Sequence, residues 1–223
     1  MFVPFSAHEP PMRMMSGPPA ALAPHVLEFC EGVCPGARPV YLAIRPGAGC
    51  APNECFPNVR QKVEQEGGRI QFGWALDEWP YVFIEAIHHA VYEGPDGGPW
   101  VDITPPDPND PQRTRLFLAD DSAVYDFEKQ ERRDHIRLAL TPDALIDEYL
   151  QLSIELNQVI LSTPGFGTLP VPEHQRARVT FIVRRICVLK RQIATKYTPQ
   201  GAPCFCGSGQ KFKRCHGQAG RNS

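Results

Sequence analysis

Apolar residues recur along this chain with two different periods, and the change of period divides it. In the first half the runs are short. Pro39–Arg45 (PVYLAIR) predicts a buried strand ending at the turn-rich PGAGCAPN, and Ala21–Cys30 before it predicts a short helix. From Cys55 to Glu66, Phe56, Val59 and Val63 fall on one helical face, with Gly67-Gly68 as the stop. Arg69–Leu76, Tyr81–Tyr92 and Trp100–Ile103 then read as strands, and Arg115–Ala119 with Ala123–Phe127 as a further hairpin. A helix leading into an antiparallel sheet is an α+β pattern.

After the charged stretch EKQERRDHIR the helical period takes over. Thr141-Pro142 is a favourable helix start, because threonine caps and proline is tolerated at the first position. Leu145, Tyr149, Leu152, Leu156 and Val159 form one apolar stripe; beyond the linker TPGFGTLPVP, Val179, Ile182, Ile186, Leu189 and Ile193 form a second. Two such helices predict an antiparallel hairpin, with Cys187 a buried thiol beside the second stripe. The expected organisation is a flexible arm at 1–20, an α+β domain at 21–128, the helical hairpin at 129–198 and a small terminal module at 199–223.

Composition alters this picture in two respects. The net charge of −2 conceals an asymmetry, since His174–Ser223 holds eleven Lys or Arg and no acidic residue. A basic end of this kind meets a polyanion, docks on an acidic protein surface or neutralises the acidic part of its own chain. No apolar run reaches the ~20 residues of a membrane span, and the first residues lack the pattern of a secretory signal, so the expected location is cytoplasmic. In that compartment the eight cysteines read as metal ligands, nucleophiles or buried thiols rather than as a disulfide framework.

Cys204-Phe-Cys206-Gly-Ser-Gly-Gln-Lys-Phe-Lys-Arg-Cys215-His216 is the densest chemistry in the chain. Two cysteines one residue apart grip one side of a metal, GSG turns the backbone, and Cys215-His216 closes a tetrahedral site that favours zinc. A complete ligand set leaves no position for a reacting water, so the expected role of the zinc is structural. The segment resembles the SEC-C motif, found at the C-terminus of the preprotein-translocase ATPase and as an appendage on many bacterial proteins, with Phe205 and Gln210 as departures at non-ligand positions. The resemblance implies a bacterial origin, bound zinc and a protein partner met through the module and the basic helix before it, with the ribosome or RNA as a further candidate contact. His25, Cys30 and Cys34 lack a convincing fourth ligand, and no Gly-rich phosphate loop stands between a strand and a helix, so no nucleotide cofactor is expected.

The acidic half holds a second constellation. Cys55 stands at a predicted helix N-terminus, where amide donors and the helix dipole favour a thiolate. If the strands around the turn EGPDGG pair about its centre, Tyr92 faces Pro99 and His89 lies opposite Asp102. Asp102 would then orient His89 while His89 activates Cys55. A one-residue slip would substitute His88. Asn53 and Asn58 read as caps or, failing that, oxyanion donors. A plainer reading keeps Cys55 as a buried thiol, the histidines as satisfied sheet residues and Asp102 in a turn.

A cysteine before a helix, then His-Ala on a strand, then W-x-D-x-T-P on the next, resembles the core of transglutaminase-like and papain-like proteins over residues 39–105. The resemblance implies Cys55 as nucleophile, His89 as base and Asp102 as the third member, although Cys55 sits in ECFPNV without the usual tryptophan. Two functions follow as expectations. One is a cysteine-dependent acyl-transfer or amide-hydrolysing domain delivered to a partner by its zinc tail. The other is a non-enzymatic adaptor or ribosome- or chaperone-associated binding protein.

Overall fold

The computed structural model describes residues 15–106, 112–162 and 171–221, with side chains through residue 218. Most of the expected arm (1–14) and most of the linker between the helical stripes (163–170) lie outside these residues. Helix α1 spans Pro24–Val33 and strand β1 Val40–Ala43. Helix α2 (Cys55–Glu66) leads into the long strands β2 (Arg69–Trp79) and β3 (Phe83–Glu93). Strands β4 (Trp100–Val101), β5 (Thr114–Ala119) and β6 (Ile136–Ala139) follow, then helices α3 (Ala144–Leu161) and α4 (Arg176–Tyr197). The architecture is α+β, mixing helices with an antiparallel sheet.

The sheet runs β1-β5-β2-β3-β4, with β6 also paired to β3. Its spine is the β2–β3 hairpin, in register from Arg69↔Glu93 to Trp79↔Phe83. Tyr81 stands in the turn at φ 68°, not in the strand as expected, because Val82 N closes the turn onto Trp79 O. β4 pairs with Tyr92 and Glu93 while β6 pairs with Phe83–Ala86 on the same edge of β3. Among the described residues, positions 87–91 of that edge therefore have no ladder partner. At the other extreme, the chain after β1 meets the chain after β4, with Arg45 N donating to Asp102 O (2.8 Å) and Gly47 N to Ile103 O (2.9 Å). The sheet curls until its outer edges touch.

Helices α1 and α2 pack side by side on one face of the β2–β3 hairpin. Val26, Phe29 and Cys30 of α1 bury against Trp74, Leu76, Ile84 and Leu116. Phe56 and Val59 of α2 bury against Ala90, Tyr92, Ile103 and Tyr125. The helical hairpin brings Ile146, Tyr149, Ile182, Leu189 and Ile193 against Trp79 and Phe83, and the terminal module joins the same cluster.

Several expectations are corrected. β1 is an exposed edge strand, with only Leu42 buried. Ala123–Phe127 forms no strand: Ala123 and Tyr125 are buried and Val124 is exposed, so the alternation is real, but Tyr125 is held by stacking on Phe56 (4.1 Å between centroids) rather than by a ladder. The charged stretch near residue 130 falls within the span expected for the helical hairpin (129–198), but α3 starts only at Ala144. It leads into β6, whose Arg137 lies opposite Glu85 and donates to it (3.2 Å), so its charges belong to a sheet edge. Gly17, within the expected arm, exchanges two backbone bonds with Glu78. α3 is capped by Asp143, whose side chain accepts from Leu145 N (3.0 Å), and its buried face turns toward Ile146 and Leu150. Cys187 is only half-buried.

Candidate functional site

The loop before α2 is shaped by a side chain inside the helix. The Asn58 carboxamide accepts from Ala51 N (3.0 Å), donates to Ala51 O (2.8 Å) and reaches Thr104 Oγ1 (3.4 Å). Asn58 is therefore a clasp rather than a cap, and α2 starts with no side-chain cap at all. Asn53 turns this loop at φ 63°. Cys55 occupies the first helical position, 7% exposed.

His88 and His89 are neighbours in β3, in the stretch left open between β4 and β6, so their side chains point to opposite faces. Observed pairing sets Tyr92 against Val101, two residues from the expected Pro99. A shift of two preserves the face, so Asp102 becomes a diagonal neighbour of His89 instead of a direct one. The contact forms nonetheless: His89 Nε2 donates to Asp102 Oδ2 at 3.1 Å.

Asp102 is completely buried. Its Oδ2 also accepts from Arg115 Nε (2.8 Å), and its Oδ1 accepts from Thr104 N (3.0 Å). Burial alone would raise this carboxyl, but His89 and Arg115 outweigh it and hold it well below the ordinary range. For His89, burial alone would lower the imidazole, yet the charges of Asp102 and Cys55, with the hydrogen bond to Asp102, bring it up to about 9. Since Nε2 is engaged by Asp102, Nδ1 is the nitrogen left to face the thiol. Cys55 and His89 thus line one cavity, with Asp102 hydrogen-bonded to His89 behind it.

His88 is arranged differently. Its Nδ1 accepts from Arg133 N (3.1 Å), so the proton sits on Nε2, which donates to the Ala123 carbonyl (2.7 Å). Packed on Phe56 and Trp74, it is pushed down to about 4 by burial. Both nitrogens are committed within the protein.

A cavity of about 430 Å³ opens over Cys55 and His89. Phe56, Ile87 and Ile160 supply apolar wall, and Arg115, Arg132 and Arg133 supply positive charge. Arg115 and Thr104 were not singled out from sequence as partners of Asp102, nor Asn58 as the clasp on Ala51. The available signal was an arginine inside the apolar strand TRLFLA, which calls for a buried anion.

The terminal segment builds a second centre. Gly207 (φ 75°) and Gly209 (φ 73°) take the left-handed conformation the tight turn requires. Cys204 N bonds to Gln210 O (2.8 Å), closing the loop, and Phe212 N bonds to Ala202 O (2.8 Å). Donor atoms of Cys204, Cys206, Cys215 and His216 lie within 4.8 Å of one another. Cys206 Sγ and Cys215 Sγ are 3.6 Å apart, and His216 Nδ1 lies 3.3 Å from both Cys204 Sγ and Cys215 Sγ. A tetrahedron with Zn–S and Zn–N bonds of about 2.3 and 2.0 Å has S–S and S–N edges of roughly 3.8 and 3.5 Å, within a few tenths of an ångström of these separations, so the donor set is compatible with zinc. Hydrogen bonds from the Ser208 hydroxyl and amide pull the Cys206 thiol down to about 6, toward the thiolate a metal needs.

Fold and donor set together define a metal-binding α+β protein. Residues 202–218 match the SEC-C motif. No solved structure matches the chain. The module is also anchored: Phe205 and Phe212 are buried in the cluster formed by the hairpin helices, while Lys211, Lys213 and Arg214 remain exposed. Among the described residues, no helix is long and apolar enough to cross a membrane.

Proposed function

We propose that the chain is a cysteine-dependent acyl-transfer or amide-hydrolysing protein with a transglutaminase/papain-like catalytic row and a zinc-stapled tail that meets a partner. The observation that carries this reading is that Cys55 and His89 line one cavity while the fully buried Asp102 is hydrogen-bonded to His89. In the reaction, the Cys55 thiolate attacks the substrate carbonyl carbon, forming a C–S bond. Amides of Cys55 and Phe56 at the uncapped start of α2 receive the oxyanion, since Pro57 has no N–H to offer. As the C–N bond breaks, the His89 imidazolium passes its proton to the leaving amine. Water or an acceptor amine, deprotonated by His89, then attacks the thioester, and the C–S bond breaks to restore the thiolate. Asp102 keeps the ring oriented throughout, and Arg115 keeps Asp102 ionised.

Bound in the tail, zinc would be held by Cys204, Cys206, Cys215 and His216 and would act as a structural staple. Exposed Lys211, Lys213 and Arg214 form the partner-facing patch, suited to an acidic protein surface, with ribosomal RNA as the other candidate. Reversing all three charges should abolish co-purification of the bound partner; undiminished recovery would remove the patch from the reading.

Thiol labelling tests the catalytic reading. At neutral pH an alkylating probe should modify Cys55 at least tenfold faster than Cys30, Cys34, Cys50 or Cys187, and His89→Ala should erase the preference. Uniformly slow labelling of all five would leave the adaptor reading in its place.

A further inference from the structure

The charges around the thiol have unequal commitments. Of the arginines and histidines lining the cavity, Arg115 (2.8 Å) and His89 (3.1 Å) are spent on Asp102, His88 on Ala123 and Arg133 N, and His135 faces Glu85 through Nδ1 (3.1 Å). Arg132 and Arg133 remain. Arg133 donates through Nη2 to the Ser122 carbonyl, a neutral partner, and helps hold nearby Asp120 ionised, a carboxylate already accepting from Trp74 Nε1 (2.9 Å) and Ser122 N (2.9 Å). Arg132 lines the same cavity as Cys55. Neither arginine makes an ion pair among the described residues. Asp77 is the acidic liner and is engaged within the protein.

Resting on the cysteine-nucleophile reading above, we propose that Arg132 and Arg133 select acyl substrates that carry an anionic group, such as a carboxylate, close to the reacting carbonyl. A guanidinium fork matches a carboxylate in shape and charge, and the partly enclosed cavity weakens solvent screening of the attraction. Phe56, Ile87 and Ile160 then accept the apolar remainder of the acyl group. An anion held here also sits beside the imidazolium of His89, so it is drawn toward the reacting centre rather than away from it.

Two alkylating reagents that differ in charge separate this proposal from the reading beneath it. The full-length, zinc-loaded protein is treated at neutral pH with iodoacetate or iodoacetamide, and modification of the Cys55 peptide is followed by mass spectrometry. In each case the thiolate forms a C–S bond and iodide leaves. Measured against the same rate ratio for glutathione, Cys55 should favour the anionic reagent by about tenfold, and added salt should reduce that preference. Arg132→Gln with Arg133→Gln should bring the ratio to that of glutathione; the paired lysine substitutions should keep the preference. A wild-type ratio equal to that of glutathione overturns anion selection even if Cys55 is fast toward both reagents, and so does a preference that survives the glutamine pair. Slow reaction with both reagents overturns the nucleophile reading and this proposal with it.

Discussion

His88 and His89 are adjacent in the chain, and the fold gives them opposite electrostatics. His89 faces a carboxylate and a thiol and is held up at about 9; His88 faces aromatic rings and is pushed down to about 4. The consequences for stability have opposite signs. Unfolded, either imidazole protonates near pH 6.5. His89, raised in the fold, contributes stability that is complete below pH ~6.5 and is lost as pH rises through about 9. His88, lowered, contributes fully above pH ~6.5 and loses that contribution as pH falls toward about 4, at a cost of about 3 kcal/mol. His88→Gln should therefore flatten the fall in urea midpoint between pH 6.5 and 4, and an unchanged slope would acquit His88. Asp102, held low, adds a separate acid loss that begins only as pH drops through the usual carboxylate range.

At the scale of elements, the site depends on how strands share an edge. β4 and β6 both pair with β3 but leave the histidines between them, and the N-terminus of α2 brings Cys55 to that gap. Gly73, opposite His89, makes the neighbouring approach of β5 possible, because a Cβ there would stand 2.2 Å from Leu118 O. The terminal module is an element in the same sense, since Phe205 and Phe212 share a cluster with Ile182, Leu189 and Trp79. Removing zinc should release those rings and lower the melting temperature of the whole protein, with α3 and α4 melting in the same transition. A chelated sample that keeps its melting temperature would show that the metal does not support this core.

Across the whole molecule, what was legible in the sequence was what is local. The Cys55–Glu66 helix and the clustering of Cys204, Cys206, Cys215 and His216 depend on short-range spacing, and both read directly. Asp102 was placed beside His89 through a register two residues off, which succeeded because strand faces repeat every two residues. Arg115, Asn58 and the role of β6 were not legible, since each acts through a partner distant in sequence: Asp102, Ala51 and Thr104, and β3. The burial of Phe205 was missed for the same reason, its neighbours lying in other elements. What long-range pairing adds is a thiol and an imidazole lining one cavity, with a carboxylate behind the imidazole, in a chain whose basic end is folded onto the body.

The most direct test of that site is to trap an acyl group on it. The protein is mixed with an activated ester such as p-nitrophenyl acetate, and the nitrophenolate burst is recorded alongside the intact mass. A burst approaching one equivalent, an acetyl thioester on the Cys55 peptide, and loss of both in His89→Ala are expected. Absence of an adduct at Cys55, or equal acylation of His89→Ala, would contradict the catalytic reading.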